Sequence, residues 1–253
     1  MIVIKTEKEI ELMRQACKIT GLALKEAEKL IRPGISTMEI NDKLEKFIKA
    51  NGCKPTFKGY GGFPYAACIS VNSEVVHGRP SKRILKEGDI VSVDIGAEYR
   101  GFTGDAARTF PVGKISEQDE KLISVCKQSF FEGIKTVKNG STLKDLGTAI
   151  QTYVEKNGFS VVRDLCGHGV GEDLHEDPQI LNYDGYVGTG GRFYTNQTVA
   201  IEPMINAGSF DVDYNPKTML TVTCDGKNSA HYENTVLVTD SGAEILTLYE
   251  ENL

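Results

Sequence analysis

The sequence predicts an α+β fold in which duplicated helix-helix-strand halves pack their helices on a curved, mostly antiparallel sheet. Two observations predict it. The stretch GISTMEINDKLEKFIKANG at 34–52 is matched, at a constant offset of 106, by GSTLKDLGTAIQTYVEKNG at 140–158. In both halves two helix-like stretches come before a series of strand-like ones. Similarity at a fixed spacing is the signature of a duplicated unit. No stretch rich in Pro, Ser or charge separates the halves, so a single domain over 1–253 is expected, with the pseudo-repeat dividing it at about 1–115 and 116–253.

Taken in order, the first half opens with a helical stretch at about 6–32 and continues with the 34–52 segment. There Ser36 can cap the start and Asn51-Gly52 can end the helix. Strands follow at AACISVN (66–72), DIVSVDIG (89–96) and AARTFPVG (106–113). The second half repeats the order with a helix at about 117–138 and the 140–158 segment, where Thr142 and Asn157-Gly158 are the matching caps. Ile40 matches Leu146, Leu44 matches Ile150, and Ile48 matches Val154. These apolar positions recur at helical spacing, as one buried helix face requires. Strands are then expected at FSVV (159–162), TVAIEPM (198–204), KTMLTVT (217–223) and ENTVLVT (233–239).

Composition excludes several function classes. The chain has 253 residues, 40% hydrophobic and 25% charged, with a net charge of −6. An acidic balance argues against general nucleic-acid binding. No apolar run approaches the roughly 20 residues that a membrane span needs. The start, MIVIKTEKEIELMRQ, is charged from Lys5 onward and does not read as a secretory signal. Six cysteines are scattered without a Cys-x-x-Cys pair, which argues against a zinc ribbon or a disulfide framework and for buried thiols in a reducing cytoplasm.

The strands carry acids in matching places. In DIVSVDIG, Ile90, Ser92 and Asp94 share one face; in TVAIEPM, Thr198, Ala200 and Glu202 do. Asp105 is expected to open the next strand of the first half, and Glu233 the last long strand of the second. A carboxylate on an apolar strand is costly unless paired, hydrogen-bonded or bound to metal. Two of the four histidines, His168 and His175, lie in the glycine-rich stretch DLCGHGVGEDLHED at 164–177, expected as a flexible loop. Four carboxylates and an imidazole suit divalent transition metals, and two such ions are the arrangement of dinuclear hydrolases.

The order Asp94, Asp105, His168, Glu202, Glu233 resembles the metal ligands of the methionine aminopeptidases. Further resemblance lies in VVHGRPS, VDIGAEYRGFTGD, CGHGVGEDLHEDP, AIEPMINAG and YENTVLVT, and together these span nearly the whole chain. Only 27 residues separate His175 from Glu202, which is similar to type 1 of the family in its short bacterial form. The resemblance implies a pita-bread fold, a single catalytic domain, and two divalent ions drawn from Co, Mn, Fe, Zn or Ni. It implies that Asp94 chelates one ion, Asp105 and Glu233 bridge both, and His168 and Glu202 bind the second. A hydroxide between the ions would attack the carbonyl after an N-terminal methionine, with Glu202 as general base. His175 would bind the substrate carbonyl and the tetrahedral intermediate, and His77 the scissile amide or the backbone beyond it. Tyr60, Phe63, Cys68, Leu174 and Met219 would form the methionine pocket, with Phe57 nearby. A small second residue, a cytoplasmic monomer acting on newly made proteins, and a contact with the ribosome fit the same picture.

The chain departs from the family pattern at several positions. Met219 stands where Trp is common, Leu174 where Phe is common, and Ala106 where Thr is usual. YTNQTVAIEP lacks the usual Gly-Met before its strand. His231 replaces a common Gln and Asn234 a common His beside Glu233; for His231 a role behind the ligands or at the surface is expected before that of an extra ligand. Three other readings remain. A proline-type aminopeptidase of the same fold usually carries an additional N-terminal domain, for which this length leaves no room. A catalytically weak copy acting as a binding module usually loses ligands, and all four acids and the imidazole are present. A dinuclear phosphoesterase would want clustered Arg and Lys for phosphate.

Overall fold

The computed structural model describes residues 1–248. Four helices form where the sequence caps them. α1 spans Glu7–Leu30, with Thr6 and Glu9 forming a reciprocal capping box. α2 spans Thr37–Ala50, capped by Ser36. α3 spans Glu117–Ile134, capped by Ser116. It stops four residues short of the expected end, because the Thr136 hydroxyl and the Val137 amide turn back onto Gly133 and Ile134 carbonyls. α4 spans Leu143–Lys156, capped by Thr142 and Asp145. α2 and α4, the repeated pair, are both 14 residues long and both end at asparagine. Ser36 and Thr142, their caps, also make matching isolated bridges, to Ile84 and Arg192.

Among the described residues the main sheet has nine strands, and every pairing between them is antiparallel. Its path runs Lys54–Pro55, Ile90–Tyr99, Phe102–Pro111, Glu233–Val238, Thr198–Ile201, Gly167–Gly169, Glu176–Ile180. Ala67–Val71 joins it on Ile90–Tyr99, and Ala243–Ile245 on Glu233–Val238. The halves of the sequence therefore meet where Phe102–Pro111 lies beside Glu233–Val238.

Packing follows the alternation of the strands. Val91, Val93, Ile95 and Ala97 form one core with Leu24, Ile40 and Leu44. Val199, Ile201, Val236 and Val238 form another with Phe130, Leu146 and Ile150. The residues between them, Asp94 and Glu202 included, point to the other side of the sheet. A smaller cluster of Ile10, Met13 and Cys17 with Val170, Ala200 and Leu237 ties α1 to the second half. α1 approaches the sheet closely at Gly104, where a Cβ would sit 2.7 Å from the Cys17 backbone.

Four strand expectations change. The strand expected at 198–204 is two, Thr198–Ile201 and Met204–Asn206, with Glu202 and Pro203 between them. The strand expected at 106–113 runs Phe102–Pro111, so Asp105 lies inside a strand instead of opening it. Gly104 lies inside the same strand, where the close approach of α1 requires a glycine. In 217–223 only Thr221–Thr223 is extended, and Met219 adopts a left-handed φ of 66°. The expected flexible loop at 164–177 contains Gly167–Gly169 and is followed by Glu176–Ile180, which pair with each other. His168 is therefore on a strand, flanked by glycines whose Cβ would strike neighbouring carbonyls at 2.3 Å.

Candidate active site

The ladders deliver the acids. Asp94 faces Ala107, and Asp105 faces Gly96, so the two carboxylates are diagonal neighbours on one face. Ala107 also faces Glu233, and Cys68 faces Asp94 from the outer strand. One row across four strands thus reads Cys68, Asp94, Ala107, Glu233. The small methyl of Ala107 leaves open space between two carboxylates. The pairing of Glu233–Val238 with Thr198–Ile201 ends at Asn234 and Ile201, which brings the next residue, Glu202, toward Glu233. His168 faces Ala200 on the far side.

The geometry of His168 defines its chemistry. Its Nδ1 lies 2.9 Å from the Gly169 carbonyl, which can only accept, so Nδ1 carries the proton and Nε2 presents a lone pair. Nε2 lies 3.4 Å from Glu202 Oε1 and 3.8 Å from Asp105 Oδ2. Burial, then the neighbouring His175, pushes the imidazole down to about 4, so it is neutral at pH 7.

The acids are held against their own chemistry. Burial pushes Asp105 up to about 7. Burial first, and then repulsion from Asp105, holds Asp94, Glu202 and Glu233 well above the carboxylate range. Asp94 Oδ1, Asp105 Oδ1 and Glu233 Oε1 are buried without a hydrogen-bond partner, and so is His231 Nε2. Orphaned lone pairs aimed at one another are costly unless a cation lies between them. Two trios have ligand atoms all within 4.8 Å of one another: Asp105, His168 and Glu233, and Asp94, His231 and Glu233. Carboxylate oxygen with imidazole nitrogen is a divalent-metal donor set, and these residues fit one.

A cavity opens over this floor and is lined by all the expected residues, Tyr60, Phe63, Cys68, His77, Leu174, His175 and Met219 among them. Its apolar wall is a buried cluster of Phe57, Phe63, Cys68 and Leu174. Phe57, expected only nearby, is part of that wall. Met219 is at the mouth, 37% exposed, and its carbonyl accepts from His77 Nδ1 at 3.2 Å. His77 itself has a left-handed φ of 60°. Two non-glycine residues in that region hold each other across the entrance, where local strain is spent on placement. The His175 ring stands 4.3 Å from that of His168, centroid to centroid. Its Nδ1 is 2.6 Å from the Tyr60 hydroxyl, so Tyr60 orients a histidine as well as lining the cavity.

Several residues that shape the site carry no local signal in the sequence. The Thr235 hydroxyl accepts from the Asp105 amide at 3.0 Å and donates to the Asp105 carbonyl at 2.9 Å, stitching the two halves at the acid itself. Buried Arg108 donates to the carbonyls of Ala107 and Glu233 and to Asn234 Oδ1. Its guanidinium lies 4.0 Å from the Tyr232 ring centroid and its charge partly offsets the upward push on Glu233. Lys5, 2% exposed, pairs with Glu176 beside His175. Each of these pairs residues far apart in sequence. His231, by contrast, was visible as a departure, but the structure places it among the acids at 2% exposure, not at the surface.

Comparison with known proteins shows the family and the fold. Residues 11–240 match the model of metallopeptidase family M24. The chain is 51% identical to the methionine aminopeptidase of Clostridium acetobutylicum, over 99% of this chain and 100% of that one. Its structure superposes on the methionine aminopeptidase of Thermotoga maritima with a TM-score of 0.95 at 48% identity, covering 98% of this chain and 100% of the other. The prolidase of Pyrococcus furiosus is a more distant likeness, with a TM-score of 0.79 at 28% identity, covering 98% of this chain but 66% of that enzyme.

Proposed function

The chain belongs to metallopeptidase family M24, and from that membership we infer that it removes N-terminal methionine from peptides and newly made proteins by metal-dependent hydrolysis. It is a metallo-exopeptidase of the pita-bread fold. The observation that carries the reading is one cavity with an apolar wall above four carboxyl groups and the His168 imidazole, where Asp94, Asp105 and Glu233 each keep a buried oxygen without a hydrogen-bond partner.

We propose that the whole chain acts as one catalytic unit and holds two divalent ions, from among Co, Mn, Fe, Zn and Ni. Asp94 would hold one ion, His168 and Glu202 the other, and Asp105 and Glu233 would lie between. When bound, the ions supply Lewis acidity and a water acidic enough to attack at neutral pH. The remaining work falls to the chain. Glu202, held with a raised proton affinity at the cavity floor, is suited to take a proton from the attacking water and return it to the leaving amine. His175 is fixed by Tyr60 and stands over His168, where it can donate to the scissile carbonyl as charge develops there. His77 reaches the amide or the backbone beyond it from the mouth. Phe57, Phe63, Cys68 and Leu174 would receive the methionine side chain, and Met219 would close the rim. A small second residue is preferred in this reading.

No helix among the described residues is long and apolar enough to cross a membrane. We propose a monomer in the cytoplasm, acting on emerging N-termini near the ribosome, without nucleic-acid binding of its own. The test is hydrolysis of four peptides by chelator-treated protein with added Co or Mn. Release of Met from Met-Ala-Ser, but not of the first residue from Leu-Ala-Ser, Met-Leu-Ser or Ala-Pro-Ser, supports the assignment. Cleavage of Ala-Pro-Ser would move it to the proline-specific branch. Stoichiometric metal with no cleavage of any peptide would point to a binding role.

A further inference from the structure

We propose that His231 is a ligand of the ion held by Asp94 and Glu233, so that each of the two ions takes one imidazole. The inference rests on the reading of these acids as a metal site. It concerns a residue where the chain departs from the pattern it otherwise resembles.

The position of Nε2 carries the argument. It lies 3.7 Å from Glu233 Oε2 and 3.8 Å from Glu202 Oε2. Both distances are too long for a hydrogen bond, which explains why the nitrogen is buried and unpartnered. They are near the separation of two donors on one ion: metal–ligand bonds of about 2.0–2.2 Å put neighbouring donors roughly 3–3.5 Å apart. With Asp94 and Glu233, His231 forms the trio whose donor atoms lie within 4.8 Å of one another. The second trio, Asp105, His168 and Glu233, has the same composition, two carboxylates and one imidazole, and shares Glu233. The two trios therefore offer matched donor sets on either side of Glu233.

The backbone holds His231 in this place. Its strand, Ser229–His231, pairs with Met204–Asn206, with Met204 opposite His231. The His231 amide donates to the Thr109 hydroxyl at 2.8 Å, and that hydroxyl donates to the His231 carbonyl at 3.0 Å. Ser92 Oγ, 2.8 Å from the same hydroxyl, completes the clamp. A ring nitrogen that is buried without a hydrogen-bond partner can offer its lone pair to a metal. A glutamine at this position would present an amide in place of an aromatic nitrogen. The imidazole should tilt this site toward Co, Fe, Ni and Zn and away from Mn, because nitrogen donors favour the later metals.

The test is X-ray absorption on the intact protein loaded with two equivalents of Co. The imidazole ring gives a distinctive outer-shell scattering pattern. The wild type is expected to show about one imidazole per Co, and His231→Gln about one half. His168→Gln should also show about one half, the remaining ring being His231. Calorimetric Co titration of His231→Gln should show one of the two sites weakened by about 100-fold or more, beyond the 10–100-fold typical of residues that only support a ligand. A wild type that binds two Co with half an imidazole per ion overturns the inference, whether or not the variant folds. A wild type that binds no Co overturns the metal-site reading beneath it.

Discussion

Lys5 and Glu176 offer a quantitative test of how the segment carrying His175 is held. Their side chains are 2% and 8% exposed, and they pair over Gly171, where an added Cβ would fall 2.3 Å from Glu176 Oε1 and 2.7 Å from Lys5 Nζ. The Lys5 amide is anchored separately, donating to the Asn196 carbonyl at 2.9 Å. Lys5→Met keeps the length of the side chain and removes its charge, leaving the Glu176 carboxylate buried alone. Removing one partner of a buried pair costs about 3–5 kcal/mol. For a chain of this size each kcal/mol moves the melting temperature by about 2–4 °C, so a drop of about 6–20 °C is expected. Glu176 directly follows His175, so the loop should also lose precision there. Turnover of Met-Ala-Ser should fall about 10-fold or more while both ions stay bound. The assay is a thermal melt beside steady-state kinetics and metal analysis. Lys5→Met with Glu176→Gln removes both charges and should recover most of the lost stability. A single variant that melts within about 2 °C of the wild type, or a double variant no more stable than the single, would refute the reasoning.

Three further outcomes are expected. His168→Ala should weaken metal binding and activity together, whereas His175→Ala should lower turnover with the metals retained; loss of metal from His175→Ala would overturn this division of labour. Gly104→Ala should destabilise the protein by about 1–3 kcal/mol, because its Cβ meets α1 backbone that cannot move aside, and an unchanged melt would contradict the close approach. Metal uptake should release protons. The raised carboxyls, Asp105 at about 7 among them, hold protons in the metal-free protein that an ion must displace. Affinity should therefore fall as pH is lowered from 8 to 6. Calorimetry in two buffers of different ionisation heat checks this, and identical heats would refute it.

Much of the fold was legible because its signals are local. The helix caps at Ser36 and Thr142 and the apolar spacing behind them are written within single segments, and α2 and α4 formed there. Alternation placed Asp94 and Glu202 on the faces away from the helix cores, and the resemblance named the four acids and one imidazole that converge. The misses are non-local. Asp105 lies inside a strand that begins at Phe102, and the glycine before it answers to α1, some 84 residues away at Thr20. The ties through Thr235, Arg108 and Lys5 cross 130, 125 and 171 positions. No spacing rule reports such contacts. The β-rich stretch 217–223 predicts a strand through Met219, yet the turn that bonds its amide to the Asn215 carbonyl takes it to the cavity mouth.

The central claim is that Asp94, Asp105, His168, Glu202 and Glu233 hold the ions that hydrolyse an N-terminal methionine bond. The most direct measurement titrates Co or Mn into chelated protein, counting ions per chain while following Met release from Met-Ala-Ser. The account predicts no release without metal, and activity that rises with occupancy to a limit of two ions per chain. Full activity in the chelated protein, or two bound ions without release, would contradict it.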